Sequence, residues 1–389
     1  MKVCLINNLY DPYSRGGAEQ VVKNIAKGFI DDDHEVVIIT TKPFRGEEKK
    51  AIEKIKIHRF FPWNLFWIGN IHKHNPVVRL VWHFFDMFNL HSYFKIKQIL
   101  KKEKPDLVIT HNLKGIGYLI PMAVKKSGIK YFHTIHDVQL AIPSGLLIKG
   151  EENSWQSKCI LTKLYTSINK KLFSYPQAII SPSKWLMDFY KEKGFFKNQK
   201  KEIIPNSVVD IKTSYQSLAD KHQFLYVGQI EKHKGVLFLI NTFNKIKNSN
   251  AELLIIGDGS KLKEAKKIAN QNHRIKFLGR LPNKEVINLY KKSGITIMPS
   301  LCYENSPTVI YESLAYGTPV LASNLGGTAE LIKEDVNGYI FKAGSADDLL
   351  DKINFCLNNK DKIKKMRLFS AESIEKFNLE NYINKILNL

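Results

Sequence analysis

Short, almost wholly apolar runs recur along the chain, and between them apolar residues return at helical spacing. The first series of runs predicts strands at Val3–Asn7, Glu35–Thr40, Lys56–Phe60, Asp106–Thr110, Lys130–Ile135 and Ala178–Ser181. A second series begins at Gln223–Val227 and continues through Glu252–Ile256, Ile275–Leu278, Ile295–Met298, Pro319–Ala322 and Tyr339–Phe341. Runs of this kind are covered on both faces, and strands that alternate with helices imply parallel sheets. After the first strand, Val21, Val22, Ile25, Phe29 and Ile30 fall on one helical face, and FNLENYINKIL near the end carries a similar stripe. Two such series in 389 residues predict two α/β domains.

The most informative stretch is 294–330, GITIMPSLCYENSPTVIYESLAYGTPVLASNLGGTAE. Ser306 followed by Pro307 predicts a helix start, with serine as the cap and proline in the first helical position, and Gly317 predicts its end. In an open parallel sheet such a loop lies at the carboxyl ends of the strands, where the free N–H groups of Thr308 and Val309 face an anion. Glu312 shares that helical face one turn further in, beside the ribose diol of a bound nucleoside diphosphate. Glu304 precedes it on the loop, on the other side of the phosphates, where a sugar sits. Taken singly, two glutamates at this spacing are ordinary surface charges. The strand, the Ser-Pro start and the closing Gly-Thr-Pro give the pair its weight. The stretch resembles the donor-site motif of glycosyltransferase family 4, retaining enzymes of the GT-B fold. Gly326, Gly327 and Glu330 match that family's Gly-Gly-x-x-Glu segment.

The resemblance implies a GT-B architecture, two Rossmann-like doubly wound parallel-sheet domains facing a deep cleft. It puts an acceptor-side domain at 1–205, a donor-binding domain at 206–372, and a final segment, 373–389, that crosses back onto the first. Gly16 and Gly17, at the start of the first helix, are an ordinary turn by themselves; in the family such a pair faces the donor diphosphate. His136, followed by Asp137, contacts the donor sugar in the family and is otherwise a satisfied loop histidine. His133 lies on a predicted strand and His136 at its end, and because residues three apart on a strand face opposite sides the two are poor metal co-ligands. The segment DVQLAIPSGLLIKG is where the family places acceptor contacts, and KEIIPNSVVD resembles its crossover, with Ser207 where glycine is usual. In GQIEKHKG, Lys234 matches a lysine that grips the diphosphate, and Gln229 stands where arginine is commonest. The segment IIGDGSKL fails the dinucleotide fingerprint at Leu262, and the family assigns it to the nucleotide pocket with Arg280 and Leu281. Asn305 and Ser306 join Glu304 in holding sugar hydroxyls. Lys234, Glu304 and His136 are the residues expected to carry the chemistry. No metal and no cofactor are expected, the nucleotide-diphosphate sugar being a substrate.

Charge adds a partner question. The formal net charge is +22, and residues 1–205 hold 33 Lys+Arg against 18 Asp+Glu. Such a field attracts nucleic acid, anionic lipid or an acidic substrate. No nucleic-acid motif accompanies it. The stretch 60–104 mixes Trp, Phe, Lys, Arg and His, which suits either a surface meeting lipid headgroups or two amphipathic helices packed on the sheet. Four scattered cysteines indicate neither a zinc site nor a disulfide framework. With no long apolar run, the expectation is a cytoplasmic protein, peripheral at most on the inner face of the cell membrane. Asp31–Asp33 formally offers the Asp-x-Asp of a metal-dependent transferase but reads as a solvated turn. The expected activity is transfer of a sugar, with retention, from a nucleotide-diphosphate donor to a hydroxyl acceptor, lipid-linked or otherwise, in cell-surface polysaccharide, lipopolysaccharide or glycolipid synthesis. A phosphorylase or sugar-nucleotide epimerase of the same fold, or a basic binding protein, is the alternative.

Overall fold

Each of the apolar runs becomes a strand in the computed structural model, which describes all residues except 15, 47–50, 53, 155–158, 209–221 and 271. The chain divides into two compact units, Met1–Gly145 with Trp155–Ser207 and Leu379–Leu389, and Leu146–Ser154 with Val208–Asn378. The end of the KEIIPNSVVD crossover lies outside the described residues.

The first unit is built on β1 (Lys2–Ile6), β2 (Glu35–Thr41), β3 (Ala51–Ile52), β4 (Ile55–Phe60), β5 (Leu107–Thr110), β6 (Lys130–Thr134), β7 (Ala178–Ser181) and β8 (Lys200–Ile203). Their order is β3-β4-β2-β1-β5-β6-β7-β8, parallel except for the β3–β4 pair. Val3, Cys4, Leu5 and Ile6 of central β1 are fully buried, with Val3 opposite Val36 on one side and Leu107 on the other. The edge strands β3 and β8 have no apolar run to announce them. β8 reads Lys-Lys-Glu-Ile, the charged composition that blunts a sheet edge. The helix Leu379–Leu387 buries Tyr382, Ile383 and Ile386 in the core of this unit, against the helix Gly17–Asp31. Gly28 makes that docking possible, since a Cβ there comes within 2.7 Å of the Leu379 Cγ.

The aromatic stretch forms two helices packed inward, with apolar residues left on their outer faces. Helices Pro76–Met87 and Leu90–Glu103 start at Asn75 and Asn89, whose side chains accept from the N–H groups of Val78 and Ser92. Trp82, Tyr93, Ile96, Ile99 and Leu100 turn inward, and the Trp82 Nε1–H donates to the Phe66 carbonyl at 2.7 Å. Val77, Leu80, Val81, Phe84, Phe85 and Phe94 remain on the outside. Among the described residues no helix is long and apolar enough to cross a membrane.

The second unit holds β9 (His222–Val227), β10 (Ala251–Ile256), β11 (Ile275–Gly279), β12 (Ile295–Met298), β13 (Val320–Ser323) and β14 (Gly338–Phe341) in one parallel sheet of order β11-β10-β9-β12-β13-β14. The chain winds outward from β9 in one direction and from β12 in the other. The loops after β9 and β12 therefore diverge at the switch point, where ligands bind in sheets of this kind.

Candidate active site

Three close backbone approaches build the second unit's switch point. After β9, the Gly228 N–H donates to the Ile256 carbonyl and the Ile230 N–H to that of Asp258. Gly257, at φ +136°, lies so near Gly228 that a Cβ would meet its carbonyl oxygen at 1.8 Å. The glycines of IIGDGSKL are thus there for contact between loops. The turn Lys232–Lys234 ends at Gly235, φ +73°, where a Cβ would meet the Pro299 carbonyl oxygen at 1.8 Å. The Leu301 N–H donates to the His233 carbonyl at 2.9 Å and joins the two loops. Gly326, φ +64°, is the third approach, with a Cβ position 2.0 Å from the Glu304 carbonyl oxygen, which also accepts from the Gly327 N–H at 2.8 Å. Glu304 is thereby fixed by its own backbone.

These approaches bring Lys234 and Glu304, 70 residues apart in sequence, into a 2.6 Å ion pair. The same Glu304 oxygen accepts from the Ser300 hydroxyl at 3.0 Å. Burial by itself raises the Glu304 carboxyl, but the Lys234 ammonium and these hydrogen bonds override it and hold it below the usual carboxylate range. Burial likewise lowers the lysine, and the facing carboxylate more than reverses it. Both groups are charged at neutral pH. An ammonium has three N–H donors, and Glu304 takes one.

The helix after Glu304 spans Thr308–Ala315 and so starts one residue later than Ser306–Pro307 suggests. Pro307, at φ −71° and ψ 124°, is itself the cap and has no side-chain acceptor to offer. The Ser306 hydroxyl bonds instead with that of Tyr311 at 2.7 Å. Thr308 and Val309 open the first turn, where N–H groups have no partner within the helix. Glu312 is half-buried on this helix, 3.4 Å from the Tyr290 hydroxyl. Burial pushes its carboxyl up to about 7, and the tyrosine offsets little of that. Leu281 packs in the same apolar cluster as Tyr290, together with Val227 and Tyr316. Arg280 extends outward, its Nε 3.9 Å from an Asp258 carboxylate oxygen. The Gln229 side chain is also exposed, and its carbonyl is anchored by the Tyr226 hydroxyl at 2.6 Å.

Leu146–Ser154, counted with the second unit, pairs with the residues just before Glu304. The Lys149 N–H donates to Leu301 and the Tyr303 N–H to Leu147, each at 2.9 Å, and the Tyr303 hydroxyl reaches Glu152 at 2.8 Å. Sequence reasoning had no signal for this pairing, nor for Tyr290 and Ser300, whose partners are distant in the chain.

In the first unit Gly16 caps the helix Gly17–Asp31 in an ordinary extended conformation, its N–H held by the Glu19 carboxylate at 2.8 Å. The pair leaves the helix start uncovered rather than supplying an unusual turn. The opposite-sides argument for His133 and His136 fails, because β6 stops at Thr134 and His136 lies on the loop beyond it. Both rings line one small cavity with Asp137, Tyr190 and His111. Among the described residues no group of three or more His, Cys, Asp or Glu side chains is arranged to hold a metal ion.

Residues 15–210 match Glycosyltransferase Family 4, and residues 210–372 match Glycosyl transferases group 1. The chain belongs to glycosyltransferase family 4. The transferase is 28% identical over 386 residues to an uncharacterized 42.6 kDa protein in the cps region of Klebsiella pneumoniae, covering 98% of this chain and 100% of that one. It is 24% identical over 328 residues, 78% of its length and 79% of the other's, to the Escherichia coli UDP-Gal:alpha-D-GlcNAc-diphosphoundecaprenol alpha-1,3-galactosyltransferase. Its fold matches sucrose-phosphate synthase from Thermosynechococcus elongatus with a TM-score of 0.78, at 18% identity and over 100% of this chain and 97% of that one. The transferase therefore has the GT-B fold.

Glu312 gives the transferase a pH signature. Its folded value of about 7 lies above the ordinary 4.5, so between those values the unfolded chain loses a proton that the folded chain keeps. Stability then falls as pH rises, by on the order of 3 kcal/mol in full. Glu312→Gln removes that cost. Denaturant titrations should find the variant more stable than the parent at pH 8 and level with it at pH 4.5; an equal difference at both pH values contradicts the buried, neutral carboxyl.

Proposed function

We propose that this transferase moves a sugar, with retention at the anomeric carbon, from a nucleotide-diphosphate sugar to a hydroxyl acceptor. The observation that carries the reading is the Lys234–Glu304 pair at the switch point, beside a helix start with no side-chain cap. Charge on the leaving diphosphate is met by Lys234, by the N–H groups of Thr308 and Val309 and, by family resemblance, by Gly17 and the neutral amide of Gln229. Glu304, Asn305 and Ser306 hold sugar hydroxyls, and Glu312 takes the ribose. Arg280 and Leu281 border the nucleotide, and His136 is assigned to the sugar. The diphosphate needs no metal or other cofactor in this scheme, because an ammonium and backbone dipoles supply the positive field.

The acceptor is a membrane-borne hydroxyl in cell-surface glycan synthesis, and the protein works at the inner face of the membrane. Two observations support this. One relative is named for a diphosphoundecaprenol-linked acceptor and another for its cps region. Val77, Leu80, Phe84, Phe85 and Phe94 are exposed in a stretch that also carries Arg79, Lys95 and Lys97. Apolar insertion and charge hold the protein only in combination, each basic residue near an anionic surface adding about 1 kcal/mol.

Two measurements test the scheme. Calorimetry of free nucleoside diphosphates and intact nucleotide sugars, with a chelator present throughout, should detect binding without metal. At pH 8, where the carboxyl is mostly ionised, Glu312→Ala should weaken both ligands by roughly 1.5–3 kcal/mol, the worth of a hydrogen bond to a charged group. Glu304→Ala should spare the free diphosphate and weaken only the sugar-bearing ligand. If Glu304→Ala weakens both equally, the glutamates do not divide sugar from ribose. For the membrane, the protein should sediment with phosphatidylglycerol vesicles at low salt, lose most of that binding at high salt and in Phe84→Ser/Phe85→Ser, and ignore phosphatidylcholine. Equal sedimentation with both lipids contradicts the docking.

A further inference from the structure

In the first sheet the winding direction reverses between β1 and β5, and His111 is the first residue beyond β5. The residue is 1% exposed, its backbone N–H donates to the Ile6 carbonyl, and its ring Nδ1 lies 3.0 Å from the Nε2 of His136. The two rings are tilted by 31° with centroids 5.2 Å apart. Neither is charged at neutral pH. Burial, then the neighbouring His136 and His133, holds His111 well below the ordinary histidine value, and burial pushes His136 down to about 4.

A contact between two neutral imidazoles needs one N–H and one lone pair, so two proton arrangements are conceivable. The far nitrogen of His111 decides between them, because Nε2 is buried without a hydrogen-bond partner among the described residues. If His136 donated, His111 would carry its own proton on that Nε2 and strand an N–H in the interior. If His111 donates from Nδ1, only a lone pair is left there. Orphaned buried N–H groups are rarer than under-used acceptors, which selects the second arrangement. The third ring of the cavity does not interfere, since the His133 Nδ1 is engaged with the Thr110 hydroxyl at 2.8 Å.

We propose that His111 is a positioning residue for the transfer, donating from Nδ1 to the Nε2 of His136 and fixing that ring as the neutral Nδ1–H tautomer. The transfer role rests on the assignment of His136 to the donor sugar. Whatever the Nδ1 of His136 meets, it meets as a donor, which suits a sugar hydroxyl oxygen. A neutral ring also does not oppose the positive charge that develops at the anomeric carbon as its bond to the leaving diphosphate loosens.

Nitrogen NMR of the full-length protein labelled with 15N-histidine, ligand-free at pH 7, reads the tautomer directly. The parent should show His136 protonated at Nδ1 with a bare Nε2. His111→Asn keeps an amide N–H near the lost Nδ1 and should preserve that tautomer and most of the turnover. His111→Phe keeps a ring but no donor, and should let His136 shift toward the Nε2–H form, with turnover of the best-binding nucleotide sugar reduced about ten- to a hundredfold. A parent His136 protonated at Nε2, or a His111→Phe protein matching the parent in tautomer and turnover, overturns the proposal. A fully active His136→Ala protein would instead remove His136 from sugar handling, and the transfer role of His111 with it, whatever the tautomer.

Discussion

An ion pair between residues on two loops makes the second unit's switch point a single site. Lys234 and Glu304 meet at 2.6 Å with both side chains mostly covered. Removing two charges from water is costly, and the cost is recovered only when geometry is held and the remaining polar atoms are satisfied. The Ser300 hydroxyl contributes to the second by giving the paired Glu304 oxygen another donor. The first falls to Gly235 and Gly326, each pressed against a carbonyl oxygen where any side chain would collide. The glycines fix the backbones, the backbones fix the charges, and the charges hold the two loops in register.

The polar groups of the two switch points differ in kind. At the second, a lysine and a glutamate are both ionised, and a neighbouring carboxyl, Glu312, sits near its midpoint at neutral pH. Around β5 and β6 of the first, three histidines are held neutral by burial. Charged groups suit a diphosphate, and neutral ones suit hydroxyls beside a carbon that becomes electron-poor. Apolar surface is distributed with the same economy, since the inner faces of helices Pro76–Met87 and Leu90–Glu103 complete the core while their outer faces stay open.

The parallel strands were legible because burial on both faces demands continuous apolar runs, which periodicity detects. β8 was not, because an edge strand of Lys-Lys-Glu-Ile carries no such run. The Glu304 and Glu312 motif was legible as a local strand–loop–helix pattern, although the helix start moved by one residue when Pro307 took the cap position. What pattern could not supply was contact across the chain: Lys234 against Glu304, Tyr290 against Glu312, His111 against His136, and Leu147 and Lys149 against the loop before Glu304. The misjudged His133 and His136 show the same limit. Their facing depended on where β6 stops, and the apolar run extends one residue beyond that point, to Ile135.

The central claim is that Lys234 and Glu304 act as one unit in donor recognition, and a double-mutant cycle measures that directly. Nucleotide-sugar affinity would be determined by calorimetry for the parent, Lys234→Met, Glu304→Gln and the double variant. Each single change leaves one partner covered and unpaired, whereas the double change leaves neither. The two single losses should therefore sum to more than the loss in the double variant, with a coupling on the order of 1–3 kcal/mol. Additive losses would mean that the two residues serve the donor independently, and would contradict the account.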